Sequence, residues 1–170
     1  IRFCAAHEKT FGVGVDIDPQ TAAVARANIM KQGLADRITM VECDLRDIEK
    51  IKGAKTIKEK VAFSAVGMLH EILRDGDAEV MKLIKEFKSA FPGSRFFVAE
   101  FNAMSPEELQ KISDETFRQT VSYYQLIHPL SFQGNPLPVS GWKKIFENAG
   151  AAIESIDFLE NNFVLYTIGL

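Results

Sequence analysis

Short apolar runs alternate along this chain with longer stretches whose apolar residues recur at helical spacing. Residues 11–17, 38–42, 61–69, 95–100, 153–159 and 163–168 read as strands. The first of these, Phe-Gly-Val-Gly-Val-Asp-Ile, has the continuous apolar character of a strand buried on both faces. Residues 1–8 read as the interior of a helix, with no cap before it. Residues 21–32 are Ala-rich and helical; Pro19 suits the first turn and Gly33 ends it. The charged stretch 46–60 predicts a short helix plus loop.

Residues 77–91 predict an amphipathic helix, with Val80, Leu83, Ile84, Phe87 and Phe91 on one face and Pro92-Gly93 as the stop. Ser105, Pro106, Glu107 and Glu108 open another helix, expected to run to about Gln125. Residues 128–138 read as a loop, because three prolines and a glycine fall there. A last helix over 140–149 ends at Gly150, and Glu160-Asn161-Asn162 is a hairpin turn between the final strands. This alternation predicts an α/β fold of Rossmann-like type: a mostly parallel sheet, helices on both faces and an antiparallel hairpin at the C-terminus. Ligands in such sheets sit at the carboxyl ends of the strands.

Composition narrows the classes without choosing among them. Hydrophobic residues make up 46% and charged residues 25% of 170, ordinary for a globular domain, and one domain is the default at this length. A net charge of −3 argues against a nucleic-acid partner. No apolar run approaches the roughly 18 residues of a membrane span. Cys4 and Cys43 form no Cys-x-x-Cys pair and read as reduced, buried thiols of a cytoplasmic protein.

Two carboxylates stand where a nucleotide would bind. Asp16, followed by Ile17, ends the first strand, where a carboxylate can accept both hydroxyls of a ribose. Asp18, just before Pro19, reads instead as a helix cap. Asp44, just past the strand 38–42, can accept an adenine amine with Leu45 against the ring, or else stand solvated in its loop.

Gly12-Val-Gly-Val-Asp-Ile-Asp-Pro, then Arg37-Ile-Thr-Met-Val-Glu-Cys-Asp44, Met68-Leu-His-Glu-Ile and a strand ending in Glu100 together resemble a class I S-adenosylmethionine (SAM)-dependent methyltransferase. The resemblance covers essentially the whole chain and lies nearest the small-molecule O-methyltransferases and their C-methylating relatives. It implies SAM as cofactor, held by Asp16, Ile17, Asp44 and Leu45, and a small-molecule acceptor. It also implies an upstream strand and glycine-rich loop that residues 1–170 lack, so the catalytic domain is expected to be N-terminally incomplete. An upstream helical domain and a homodimer follow from the same resemblance.

In those O-methyltransferases a His placed like His70 is the general base, a role suited to a reference pKa of about 6.5. Glu100 ends the strand where the family puts the orienting carboxylate, and Glu71 stands where many relatives have Asp. The loop 132–142 departs from the family pattern, which often has a Glu there; this one has no acid. In its place stand His128, just before that loop, with Phe132 and Gln133, read as acceptor contacts; Tyr123, Tyr124 and Trp142 are further candidates for pocket or core.

Two His with open positions can hold a metal ion that a keto acid chelates. His70 and His128 therefore also resemble the metal pair of iron-containing α-keto acid C-methyltransferases, with iron or another divalent or trivalent ion between them. Base-assisted O-methylation and metal-assisted C-methylation both stand open. A catalytically silent module of the same fold stays open too. An NAD-dependent oxidoreductase is disfavoured by the insertion over 103–140 and the terminal hairpin.

Overall fold

The computed structural model describes residues 1–54 and 61–170. They fall into two units, Ile1–Val61 and Ala62–Leu170. The first holds α1 (Arg2–Ala6), β1 (Gly12–Asp16), α2 (Pro19–Lys31), β2 (Ile38–Glu42) and α3 (Ile48–Lys52). Asp18 caps α2 by accepting the amides of Gln20 and Thr21, and Pro19 follows with its φ already suited to a helix. β1 and β2 pair in parallel from Gly12 opposite Ile38 to Asp16 opposite Glu42. Their carboxyl ends therefore lie side by side, with Asp16 and Asp44 at the same edge.

Cys4, Ile29, Leu34 and Ile38 form the small core of this unit, with Met40 packed against it. The Arg37 guanidinium ties α1 to the sheet through the carbonyls of Cys4, His7, Glu8 and Thr10, at 2.7, 3.2, 3.1 and 3.4 Å. A cation there satisfies acceptors that a helix end leaves without partners. Of the helix and loop expected over 46–60, α3 is the helix, capped by Asp47; residues 55–60 lie outside the described residues.

The second unit holds β3 (Ala62–Val66), α4 (Leu69–Ile72), α5 (Asp77–Ala90), β4 (Arg95–Phe101), α6 (Pro106–Gln110), α7 (Glu115–Leu130), α8 (Val139–Asn148), β5 (Ala152–Phe158) and β6 (Phe163–Gly169). Its sheet runs β3-β4-β6-β5. β3 and β4 are parallel, while β6 is antiparallel to both of its neighbours, so the terminal hairpin inserts one reversed strand. Asn161 and Asn162 turn that hairpin with φ of 57° and 61°, a conformation Asn tolerates. The expected α/β architecture is present, divided between a two-stranded and a four-stranded sheet.

The core of this unit lies between the sheet and the pair α5 and α8. Phe63, Phe87, Phe91 and Phe96 meet mostly edge to face, and Phe146 packs its edge against Tyr166. Phe87, Trp142, Phe146 and Tyr166 are all at most 1% exposed, and burial of each phenylalanine stabilises by about 1.5–3 kcal/mol.

Three elements differ from the sequence expectation. The helix opened by Ser105 stops at Gln110, because Asp114 accepts the Phe117 amide and starts α7 afresh. His128 belongs to the last turn of α7 rather than to a loop, since the helix carries Pro129 inside it and closes two residues later. His70 lies in the single turn α4 just past β3, not at a strand end.

Candidate active site

In the first unit, Asp16 is half-buried at the end of β1. One of its carboxylate oxygens accepts the Asp18 amide at 2.9 Å, which fixes the side chain in a tight turn. The other has no hydrogen-bond partner among the described residues, so a diol could be received there. Ile17 beside it is 67% exposed, an apolar surface with nothing against it.

Asp44 is differently placed. Both of its oxygens face Arg46, which donates from its amide, Nε and Nη2 at 2.6–3.1 Å. That side chain holds the Asp44 carboxyl below its ordinary range. The sequence pointed to Asp44 as the acceptor of an adenine amine but missed Arg46, two residues on, which already fills those acceptor positions. The signal was available: an Arg two residues after an Asp in a turn is within reach of its carboxylate. Leu45 is half-buried between them.

In the second unit, His70 and Glu100 are buried, with side chains 2% and 1% exposed. Glu100, on β4, accepts His70 Nδ1 on Oε2 at 2.7 Å. Its Oε1 accepts the amides of Met68 and Leu69 at 3.0 and 2.6 Å. Glu100 thus caps α4 from a neighbouring strand, a task that Met68 at the cap position does not perform with its own side chain. Nδ1 is the ring nitrogen committed to Glu100, and Nε2 is the one left for another partner.

His128 comes within 5.1 Å of His70, ring centre to ring centre, with the planes at 68°. Its Nδ1 donates to the Tyr124 carbonyl one turn back, at 2.8 Å, so Nε2 is the ring nitrogen left without a partner among the described residues. The orienting carboxylate expected for His70 is there in Glu100, whereas a main-chain oxygen serves His128, and Glu71 is exposed. Tyr124 is sandwiched between Phe101 and His128, with ring centres 3.9 and 3.8 Å away. Burial, and then the charges of Glu100 and Glu71, push its phenol up, so it stays protonated. Of the other aromatic candidates, Trp142 is core, whereas Tyr123 and Phe132 are 65% and 78% exposed. Gln133 is exposed, and its amide donates to the His128 carbonyl at 2.9 Å.

A fit to a metal can be judged from these donors. No cluster of three or more His, Cys, Asp or Glu ligands occurs among the described residues. His70 and His128 bring two imidazoles near one another, one donor short of such a cluster.

No family model and no curated protein sequence matches the chain. Solved structures do. The chain is similar to RosA of Streptomyces davawensis, an N,N-8-amino-8-demethyl-D-riboflavin dimethyltransferase, with a TM-score of 0.68 at 18% identity. It is similar to the mitomycin 7-O-methyltransferase MmcR at 0.72 and 18%, and to an O-methyltransferase family 2 protein of Planctomyces limnophilus in complex with apigenin at 0.69 and 14%. Each match covers 98% of this chain. This is the class I methyltransferase fold. The chain spans 44%, 43% and 45% of the lengths of those three proteins, respectively. Within the methyltransferase fold, no helix among the described residues is long and apolar enough to cross a membrane.

Proposed function

We propose that the protein transfers a methyl group from SAM to a small-molecule acceptor, with His70 as general base. The observation that carries this is the buried Glu100–His70 pair, which leaves Nε2 for another partner. SAM supplies the electrophilic methyl carbon when bound. In the first unit, Asp16 takes the ribose hydroxyls on its open oxygen, with Ile17 beside the nucleoside. Asp44 receives the adenine amine, with Leu45 against the ring, once Arg46 yields one oxygen. In the second unit, Nε2 of His70 would take the acceptor's proton as the acceptor bonds the methyl carbon and the carbon–sulfur bond breaks, with S-adenosylhomocysteine as the leaving group. Glu100 keeps the resulting imidazolium in place and balances its charge. His128, Gln133 and Phe132 contact the acceptor.

A second reading rests on the 5.1 Å approach of His70 and His128. Here the two Nε2 atoms hold iron or another divalent or trivalent ion, and the acceptor is an α-keto acid methylated at carbon. Such an ion would act as a Lewis acid on the acceptor's oxygens. Chelator treatment with metal analysis separates the readings. On the first, activity is indifferent to chelation and His128→Ala costs far less than His70→Ala. On the second, either substitution removes metal and turnover together.

The same reading brings in an upstream segment, a homodimer and a cytoplasmic location. The support for the upstream segment is that, among the described residues, β1 pairs only with β2 and β3 only with β4. Each sheet therefore presents an open parallel edge that a further strand would close. Co-expression of residues 1–170 with the upstream part of the reading frame tests this. Recovery of a cooperative thermal transition that the fragment alone lacks is expected, and an equally cooperative transition without it would contradict the proposal.

A further inference from the structure

Among the described residues, two buried side-chain atoms have no hydrogen-bond partner: Trp142 Nε1 and Tyr166 Oη. Both residues are 0% exposed. A buried donor left unpaired forfeits the hydrogen bond it made to solvent in the unfolded chain, so native proteins rarely keep one without a partner. Nearby stands a group with capacity to spare. A carboxylate offers about four acceptor positions. Glu100 fills two on Oε1 with the Met68 and Leu69 amides and one on Oε2 with His70. One position on Oε2 remains, in a residue 1% exposed.

The sheet puts Tyr166 and Glu100 on one face. β4 pairs with β6 so that Val98 stands opposite Tyr166 and Glu100 opposite Val164. Directly opposed residues share a face and side chains alternate along a strand, so these four point the same way. Glu100 and Tyr166 are then diagonal neighbours, about 7–8 Å apart and within reach of long side chains. α8 covers that face. Its Phe146 meets Tyr166 edge to face at 5.2 Å, and Trp142 stacks on Phe146 at 5.8 Å. The start of α8 is tied to the end of β4: Asn102 Oδ1 accepts the Val139 amide at 3.3 Å, and the Leu137 carbonyl accepts the Ala103 amide at 3.1 Å. Trp142, in the first turn of α8, is thus held at the end of β4 that carries Glu100. Burial, and then the charge of Glu100, push the Tyr166 phenol up, so it keeps a hydrogen to donate.

We propose that Trp142 Nε1 and Tyr166 Oη enclose a buried water that donates to Oε2 of Glu100, which makes Tyr166 a positioning residue for His70. The water accepts from the indole N–H and the phenol O–H and gives one hydrogen to the carboxylate. Three hydrogen bonds are the usual complement of a buried water, and each of the three side chains gains the partner it lacks. Each oxygen of Glu100 then accepts two hydrogen bonds, so the carboxylate is fixed against rotation away from Nδ1. The positioning role rests on the proposed part of His70 in methyl transfer; the water itself does not.

The test uses nitrogen-labelled protein expressed from its complete reading frame. The Trp142 indole N–H is assigned by its loss in Trp142→Phe, and its proton should show a cross-peak to a long-lived water. Tyr166→Phe keeps the ring and removes only the hydroxyl. It should weaken that cross-peak, shift the His70 imidazole nitrogens and lower the melting temperature, because a paired hydroxyl is lost. Removal of an orphaned hydroxyl would raise the melting temperature instead. Turnover should fall about two- to tenfold, the worth of one hydrogen bond, with KM and SAM affinity unchanged. A wild-type indole with no water cross-peak would overturn the proposal, and so would a Tyr166→Phe variant that melts at or above wild type. Unshifted His70 nitrogens, or a lower melting temperature with unchanged kcat, would overturn the positioning role. Wild type that neither binds SAM nor transfers a methyl group would count against the proposed function instead, because the cross-peak, the imidazole shift and the melting temperature need neither.

Discussion

Asp16 in the first unit and Glu100 in the second are carboxylates at or near the ends of strands, yet they are built for different work. Asp16 is half-buried and gives one oxygen to its own turn, so its other oxygen can receive a ligand. Glu100 is 1% exposed and accepts three hydrogen bonds from His70, Met68 and Leu69, so burial closes its remaining acceptor position to a ligand. A buried charge is tolerated only when it is satisfied in this way. On the proposed function, Asp16 is therefore a binding group and Glu100 a positioning group. Asp44, filled by Arg46 yet still partly exposed, stands between the two.

The largest effect should come from His70. Replacing it with Ala should lower turnover by about 10²–10⁴-fold, the usual worth of a general base, and leave SAM affinity intact. A loss under tenfold would break the assignment. Glu100→Gln sharpens it. Oε1 must remain an acceptor for two amides, so the new NH₂ group faces Nδ1 and donates to it. His70 then carries its proton on Nε2 and has no lone pair there. Turnover should fall by roughly 10²-fold or more while the fold persists, and nitrogen NMR of the imidazole should report the reversed tautomer.

The first unit should respond in affinity rather than rate. Asp16→Ala should weaken SAM binding by about 1.5–3 kcal/mol, from loss of charge-assisted contacts to the ribose. Asp44→Ala should cost less, about 0.5–1.5 kcal/mol, because Arg46 already competes for its oxygens. Equal losses at the two sites would mean that Arg46 leaves entirely on binding. Calorimetric titration distinguishes these outcomes.

The smallest effect is structural. The Thr21 hydroxyl, with the Thr21 and Gln20 amides, holds the Asp18 carboxyl below its ordinary range. A depressed folded value means that this stabilisation is present above the unfolded value of about 3.9 and lost as pH falls through the folded one. Asp18→Ala should therefore lower the melting temperature at neutral pH, and the gap from wild type should close in acid. A gap independent of pH would remove Asp18 as a charged cap.

Much of this was legible because strands and caps speak locally. The run before Asp16, the Asp18–Pro19 start of α2 and the Asn161–Asn162 turn each follow from adjacent residues. So did the candidacy of His70 and Glu100, through a resemblance resting on short motifs. What was hidden depended on distance or on competition between neighbours. The approach of His128 to His70 needs the fold, since a long stretch of chain separates them. The break between α6 and α7 turned on whether Asp114 would cap, and sequence periodicity does not weigh a cap against continuation. Pro129 suggested a loop, but the helix tolerates it in its last turn, and that turn is what brings His128 beside Tyr124. The left-handed backbone of Phe132, at φ 58°, could not be read at all, because the residue type argues against the conformation it adopts.

The division of labour between the units is tested most directly by titrating SAM into wild type, Asp16→Ala and His70→Ala, each expressed from the complete reading frame. The account predicts that wild type binds, that His70→Ala binds equally well and that Asp16→Ala binds at least about tenfold more weakly. Wild type that does not bind SAM, or a His70→Ala loss as large as that of Asp16→Ala, would contradict it.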